Sequence, residues 1–108
     1  MMDVLLVFTN MPDMDSAHQL AAHLIDERLA ACVNILSPCT SVYRWQDVTE
    51  TATEVPLQIK CHASRYAELE AAIRKRHPYE LPEIVAVNVD KGLPAYLSWV
   101  TQETVPPA

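Results

Sequence analysis

The sequence predicts an α+β fold, a ferredoxin-like antiparallel sheet in the order β-α-β-β-α-β with an added C-terminal helix. Apolar runs of strand length alternate with two helical patterns, and the second and third runs are separated by only a short turn. The 108 residues suit one domain, so we treat 1–108 as a single unit. The split βαβ unit is the arrangement that accounts for this order.

The first strand and the first helix follow directly from the sequence pattern. Residues 3–9 are a nearly continuous apolar run, which indicates a strand buried on both faces. Residues 10–13 break the run, and Asp13 or Asp15 can cap the helix that follows. This helix is predicted over about 14–30, where apolar side chains recur at helical spacing: Ala17, Leu20, Ala21, Leu24 and Ile25.

A long two-stranded arm is predicted next. The second strand covers 31–36, bends at Ser37-Pro38 and resumes over 40–45. Residues 46–50 form a turn without glycine, in which Asp47 is best able to adopt a positive φ. The third strand covers about 53–62, and Pro56 within it indicates an edge or a bulge.

The second half of the chain adds a helix, a strand and a short terminal helix. Ser64 is predicted to cap a helix over about 65–77. Residues 84–89 read as the fourth strand, and Pro94 suits the first turn of the last helix. The tail from about 104, which ends in Val-Pro-Pro-Ala, is predicted to be frayed.

The predicted arm is too long for the small sheet that carries it. Pairing 40–45 with 53–58 adds about 20 Å of hairpin at about 3.3 Å per residue, and an isolated hairpin is only marginally stable. Tyr43 and Trp45 lie on the arm with little local core to enter. We therefore expect copies of the chain to associate through it.

Composition excludes several classes of partner. The net charge of −6 and the lack of a basic stripe argue against nucleic acid. No run approaches the roughly 20 apolar residues of a membrane span, and the start lacks the basic leader of a signal peptide. Cys32, Cys39 and Cys61 show no paired spacing, so we expect free thiols in the cytoplasm, with Cys32 in the core.

The densest group of functional side chains is the segment 77–83, which reads HPYELPE. Two interpretations stay open: Pro78 ends a helix and Pro82 begins a strand, or the two prolines stiffen a loop that presents ligands. His77 with Glu80 or Glu83 is the candidate pair for a weakly held transition metal. The alternative is a solvated histidine at a helix C-terminus.

No motif supports catalysis, and we expect neither catalytic residues nor a tightly bound cofactor. There is no G-x-S-x-G elbow, and a single glycine excludes the familiar phosphate loops. Lys60 shares a strand face with Gln58; it faces solvent, or it supplies a positive group that pairs with Glu83 or binds an anion. Arg44 beside Trp45 suggests a cation–π contact or a rim contact between subunits.

Five separated motifs resemble those of the CutA divalent-cation tolerance proteins, over about residues 4–100. They are ERLAACVN at 27–34, SVYRW at 41–45, SRY at 64–66, HPYELPEI at 77–84 and GLPAYLSW at 92–99. The resemblance implies a tight homotrimer joined through the long hairpins. It also implies an architecture like that of the trimeric PII signalling proteins, which bind small molecules between subunits.

Two positions depart from the resemblance. Some relatives have a cysteine, a proposed copper ligand, where this chain has Thr9, and a second histidine where it has Arg76. Of that ligand set His77 is present here. A hydroxyl favours copper far less than a thiolate does.

The leading hypothesis is a cytoplasmic CutA-like homotrimer in the response to divalent metal ions, with copper or another divalent cation held weakly near His77 and Glu83. One alternative is a PII-like module that takes a small anionic metabolite in a cleft between subunits. The residues assigned to that cleft are Trp45, Lys60, Tyr79, Arg44 and Thr9. The other alternative is a structural trimer that anchors a partner protein, as has been linked to animal relatives.

Overall fold

The computed structural model describes residues 3–106 and confirms the predicted α+β fold. Five strands and three helices lie within that range. Their bounds are β1 Val4–Met11, α1 Met14–Asp26, β2 Cys32–Ile35, β3 Cys39–Trp45, β4 Val48–His62, α2 Tyr66–Arg76, β5 Ile84–Asn88 and α3 Pro94–Glu103. A short 3-10 turn, Ala63–Arg65, precedes α2.

Every strand pair in the sheet is antiparallel. The main sheet has the order β2-β4-β1-β5, and β3 pairs with the first half of β4. The 15-residue β4 therefore belongs to two structures. Its second half, residues 55–62, lies inside the main sheet, and its first half, 48–54, forms with β3 an arm that we call the hairpin arm.

One face of the main sheet packs against α1 and α2 to form the core. Alternate residues of β1 and β4 point to this face because side chains alternate along a strand. The cluster is apolar and almost fully buried: Val7, Met11, Leu20, Leu24, Leu57, Ile59, Cys61, Leu69 and Ile73. Leu57 is 0 % exposed.

The opposite face of the sheet is covered only in part. α3 packs against β1 and β4 on this face, where Val4 and Val100 are buried. Farther along, Val85 and Val87 of the edge strand β5 remain about half exposed, at 50 % and 51 %. An apolar face on an edge strand is a surface that soluble proteins usually cover.

The hairpin arm extends beyond the core. The radius of gyration is 14.5 Å, against about 13 Å for a compact chain of this length, and the longest dimension is 44 Å. Gln46 and Asp47 both have positive φ, 49° and 65°, so the arm closes with a two-residue turn and β4 begins at Val48. The predicted left-handed Asp47 is confirmed, whereas the predicted five-residue turn is wrong. Two residues with positive φ match the twist of the paired strands without glycine.

Pro56 lies where the partner of β4 is interrupted. β2 ends at Ile35 and β3 begins at Cys39, which confirms the predicted break at Ser37-Pro38. Leu36 N donates to Pro56 O at 2.9 Å. Proline has no N–H to donate. At Pro56 the missing donor lies on the side of the break between β2 and β3, where no strand is present to accept from it, and the proline is therefore tolerated within β4.

One predicted helix boundary is wrong because tertiary contacts set it. α1 ends at Asp26 rather than near 30, since Arg28 adopts a left-handed φ of 55°. The Arg65 side chain then donates to the carbonyls of Glu27 and Arg28. Asp13 caps α1 as predicted, accepting from Ser16 N at 2.8 Å. This bond lowers the pKa of Asp13.

The predicted Ser64 cap is also wrong. His62 Nδ1 accepts from Ser64 N at 3.1 Å, so the histidine is the capping side chain and the serine supplies the donor. Thr104 is buried, and its hydroxyl donates to Val100 O at 2.8 Å. The remainder of the predicted tail includes residues 107–108, which lie outside the described residues.

The prediction for the cysteines is corrected as well. Cys61 is the fully buried core thiol, and Cys32 is only partly buried. The apolar run around Cys32 suggested a core position, but its side chain is only partly covered. Within residues 3–106, no helix is long and apolar enough to cross a membrane.

Candidate functional site

His77 lies directly after α2, with its imidazole buried. Its Nε2 is 2.6 Å from Asn10 O, and its Nδ1 accepts from Tyr79 N at 3.2 Å. A carbonyl oxygen can only accept, so Nε2 carries the proton and the ring is neutral. Both ring nitrogens are thus engaged in holding the 77–79 loop against the end of β1.

Tyr79 continues this network toward the hairpin arm. Its ring centroid lies 4.6 Å from that of His77. Burial raises the pKa of Tyr79, and the neighbouring Glu54 carboxylate, which accepts a hydrogen bond from its hydroxyl, raises it further. The phenol therefore keeps its proton and links the loop to β4. Glu54 is itself buried, although it stands on the arm.

The arm and the 79–85 segment enclose an open cleft of about 950 Å³. Four carboxylates line it, from Glu50, Glu54, Glu80 and Glu83. Arg44 also lines the cleft, and its guanidinium lies 3.5 Å from Asp47 O. Among the described lining residues negative charge is thus in excess, and the cleft suits a cation better than an anion.

The residues that the sequence assigned to one ligand cleft lie in three places. Arg44, Trp45 and Tyr79 line the cleft together with Glu83. Lys60 lies outside it, hydrogen-bonded to the Asn34 side chain. Its side-chain partners, Cys32 and Asn34, are both on β2.

Thr9 also lies outside the cleft. Its register partners are Leu57 on β4 and Ile84 on β5. The side chain is 1 % exposed, and among the described residues its hydroxyl has no hydrogen-bond partner. A buried hydroxyl at the core side of the sheet does not reach the solvent-filled cleft.

Glu83 and His77 are brought together by one residue that the sequence did not single out. Asn10 accepts from His77 through its backbone and lies 3.4 Å from Glu83 Oε1 through its side-chain Nδ2. Asn10 is far from both residues in the chain, so no local pattern could have identified it. Glu54 was missed for a similar reason, because nothing in the strand alternation marks it as buried.

The described residues contain no group of three or more histidine, cysteine, aspartate or glutamate side chains placed to hold a metal ion. Arg76, at the position of the second histidine in some relatives, lies 3.1 Å from His23 Nδ1. A cation in the cleft of one chain would therefore find carboxylates as its charged ligands, and the imidazole of His77 would have to give up an existing bond to join them.

Known proteins match this chain over nearly its whole length. The family model described as CutA1 divalent ion tolerance protein matches residues 5–103. The divalent-cation tolerance protein CutA of Thermus thermophilus is 38 % identical over 99 residues, which are 92 % of this chain and 96 % of that protein. Protein CutA of Mus musculus is 39 % identical over 90 % of this chain, which spans only 55 % of the mouse protein.

Solved structures agree with the sequence matches. The crystal structure of CutA from Xylella fastidiosa superposes with a TM-score of 0.92 and 44 % identity, covering 95 % of this chain and 99 % of that one. The Thermus thermophilus structure superposes with the same TM-score at 36 % identity, covering 94 % of this chain and 99 % of that one. The superposed residues make up nearly the whole chain.

Proposed function

This chain belongs to the CutA1 divalent ion tolerance protein family, and we propose that it acts as a homotrimer in the cellular response to divalent metal ions. In this proposal the cleft beside the hairpin arm binds divalent cations weakly through carboxylates. The observation that carries the proposal is the excess of carboxylates in that cleft. The cytoplasm is the proposed compartment, because all three cysteines are free thiols.

The apolar surface of the single chain supports association. Val42 and Val48 on the hairpin arm are 67 % and 56 % exposed. Val85 and Val87 on the edge strand β5 add a second apolar surface. Exposed apolar residues on an arm and on an open strand edge are typical of surfaces that another chain covers. Three copies is the number that the family resemblance implies.

The charges in the cleft support a cation as its ligand. Oxygen ligands from carboxylates suit hard divalent cations and bind copper or zinc less tightly than sites with nitrogen or sulfur ligands do. One chain supplies too few converging ligands for a closed site. We therefore propose weak binding in which Glu80 and Glu83 contact the ion, with further ligands coming from water or from a neighbouring chain.

His77 has a positioning role in this proposal. Its two hydrogen bonds fix the loop that carries Glu80 and Glu83, so its effect on binding is transmitted through loop geometry. This differs from the sequence-based hypothesis, in which the imidazole itself is a ligand. An anionic metabolite is the weaker candidate, because four carboxylates would repel it.

Isothermal titration of the full chain with Cu²⁺ and with Zn²⁺ tests the cation proposal. The double variant Glu80→Gln/Glu83→Gln removes two charges from the cleft and should weaken binding by at least about fivefold, or roughly 1 kcal/mol. The matched control is Glu27→Gln/Glu103→Gln, which removes the same charge from exposed positions outside the cleft. It should leave binding unchanged.

Equal binding by the two double variants would remove the cleft as the cation site. If His77→Gln abolished binding while thermal stability stayed at the wild-type level, the imidazole would be a ligand after all. If sedimentation showed a single chain while cation binding survived, the trimer would be wrong and the acidic cleft would stand.

A further inference from the structure

The last turn of α2 carries three consecutive cations in a chain whose net charge is −6. They are Arg74, Lys75 and Arg76, and all three side chains are exposed. Among residues 3–106 the one ion pair within 4 Å joins Arg65 to Glu68, so none of the three cations is neutralised by a carboxylate. The negative end of the helix dipole favours cations at this position. It does not explain which group Arg76 contacts.

Arg76 reaches across to α1 and contacts the ring of His23. Its Nη2 lies 3.1 Å from His23 Nδ1. A guanidinium can only donate, so Nδ1 is the acceptor and the ring carries its proton on Nε2. A neutral imidazole binds a metal ion through its unprotonated nitrogen. Arg76 therefore occupies the ring atom of His23 that could bind a metal ion, and it places a positive charge there.

Two other histidines have the same nitrogen engaged within the protein. His62 Nδ1 accepts from Ser64 N at 3.1 Å, and His77 Nδ1 accepts from Tyr79 N at 3.2 Å. In both rings a metal ion would have to displace a backbone donor. At His23 it would have to displace a cation, which adds electrostatic repulsion to the loss of the hydrogen bond.

His18 provides an internal comparison on the same helix. Its side chain is exposed on α1, and none of the hydrogen bonds within the described part of the chain involves its ring. His18 and His23 are five residues apart, which places them about 140° apart around the helix. The two rings therefore do not share a face, and each must bind a metal ion independently of the other.

We propose that Arg76 is a specificity-determining residue, which keeps divalent metals with high affinity for nitrogen, such as Zn²⁺, Ni²⁺ and Cu²⁺, from binding at His23 between α1 and α2. It caps the free ring nitrogen, and the charges of Arg74 and Lys75 oppose the approach of a dication to the same place. Divalent ions are then left to oxygen ligands elsewhere on the molecule.

The proposal concerns a surface that association leaves open. Arg76 and His23 belong to the two helices, whereas the exposed apolar surfaces lie on the hairpin arm and on β5. It also does not rest on the acidic cleft being a cation site. The double variant Glu80→Gln/Glu83→Gln should leave the response of His23 unchanged, so failure of the cleft and failure of this proposal can be told apart.

The test is a Zn²⁺ titration of the full chain with isotopically labelled histidine, in which NMR follows the ring nitrogens of each histidine separately. His18 should respond first, and His23 should need about fivefold more Zn²⁺, because the hydrogen bond from Arg76 must break. Equal response of His18 and His23 would overturn the proposal. This comparison within the wild type holds even if a variant does not fold.

Arg76→Ala removes the cap and should raise the apparent Zn²⁺ affinity of His23 about tenfold, through loss of the hydrogen bond and of the adjacent charge. Arg74→Ala is the matched control. It removes the same charge from the same turn, leaves the cap in place and should raise the affinity by about twofold at most. His18 is the reference in each protein, and the cysteines are the same in all of them. Equal gains at His23 in the two variants would overturn the role of Arg76.

Discussion

β4 is one continuous strand, but its two halves differ in burial: the second half lies in the core and the first half is largely exposed. In residues 55–62 alternate side chains are fully buried, with Leu57, Ile59 and Cys61 each at 0 % exposure. In residues 48–53 nearly every side chain is exposed, including that of Val48. Strand geometry is the same in both halves, so burial is decided by what packs on the strand.

The difference between the halves lies in their neighbours. The core half has β1 on one side, β2 on the other and two helices above it. The arm half has only β3. Two strands without a covering layer are marginal in water. The core half can thus be stable within one chain, whereas the arm half needs surfaces that a single chain does not supply.

The largest effect is expected from a charge placed on the arm. Val42→Asp puts a carboxylate on an apolar position that association would bury, and burying an unpaired charge is prohibitive. We expect the assembly to dissociate into single chains, as measured by multi-angle light scattering. Ala71→Asp, which adds the same charge to the exposed surface of α2, should leave the mass unchanged. An intact assembly in Val42→Asp would show that the arm is not an interface.

The next effect is expected from a cavity in the core half. Leu57→Ala should lower the free energy of unfolding by about 2–5 kcal/mol, because it removes a fully buried side chain that the core cannot refill. Guanidinium unfolding at a fixed protein concentration measures the loss. Met14→Ala, at a partly exposed position, should change it by less than about 0.5 kcal/mol. Similar losses for the two variants would contradict the placement of the core.

A smaller effect is expected at alkaline pH. Burial raises the pKa of Cys61 from 9.0 to about 11, so the folded state holds the thiol proton more tightly than the unfolded state does. The stabilisation is complete below pH 9 and is lost as the pH rises from 9 to 11. Its size is on the order of 2 kcal/mol.

Cys61→Ala is the matched variant for this titration, because it removes the titrating thiol; it also removes the smallest of the causes that raise the pKa of Tyr66. Thermal unfolding should show the wild type losing more stability than Cys61→Ala over that pH range. Parallel stability profiles would mean that the Cys61 thiol is not shielded from water in the folded protein.

The smallest effect is expected at the tip of the arm. Asp47 pays a conformational cost for its φ of 65°, which glycine would avoid. Asp47→Gly should stabilise the arm by a few tenths to about 1 kcal/mol, whereas Asp47→Val should destabilise it. Hydrogen exchange of the amides near the tip is the sensitive measurement. Faster exchange in Asp47→Gly than in the wild type would argue against the two-residue turn.

The sequence predicted the order of elements because each has a local signature. The apolar run of β1, the stripe of α1 and the interruption at Ser37-Pro38 are all legible within a short window. The boundaries that were missed depend on distant partners. The left-handed Arg28 that ends α1 is held by Arg65, and α2 is entered through a His62 cap in place of the predicted serine.

The site was predicted less completely for the same physical reason. The 77–83 segment was recognisable from its composition, and Glu80, Pro82 and Glu83 do border the cleft. The partners that orient it, Asn10 and Glu54, come from two other strands. Alternation placed Lys60 on the correct strand face with Gln58 but could not reveal that Cys32 and Asn34 lie opposite them.

The most direct test of the association claim is the mass of the wild-type chain in solution. Sedimentation equilibrium at micromolar concentration should give three times the chain mass of 12.1 kDa, unchanged on dilution. A monodisperse particle of one chain mass, with the arm folded, would contradict the account. The exposed valines of the arm would then need no second copy to cover them.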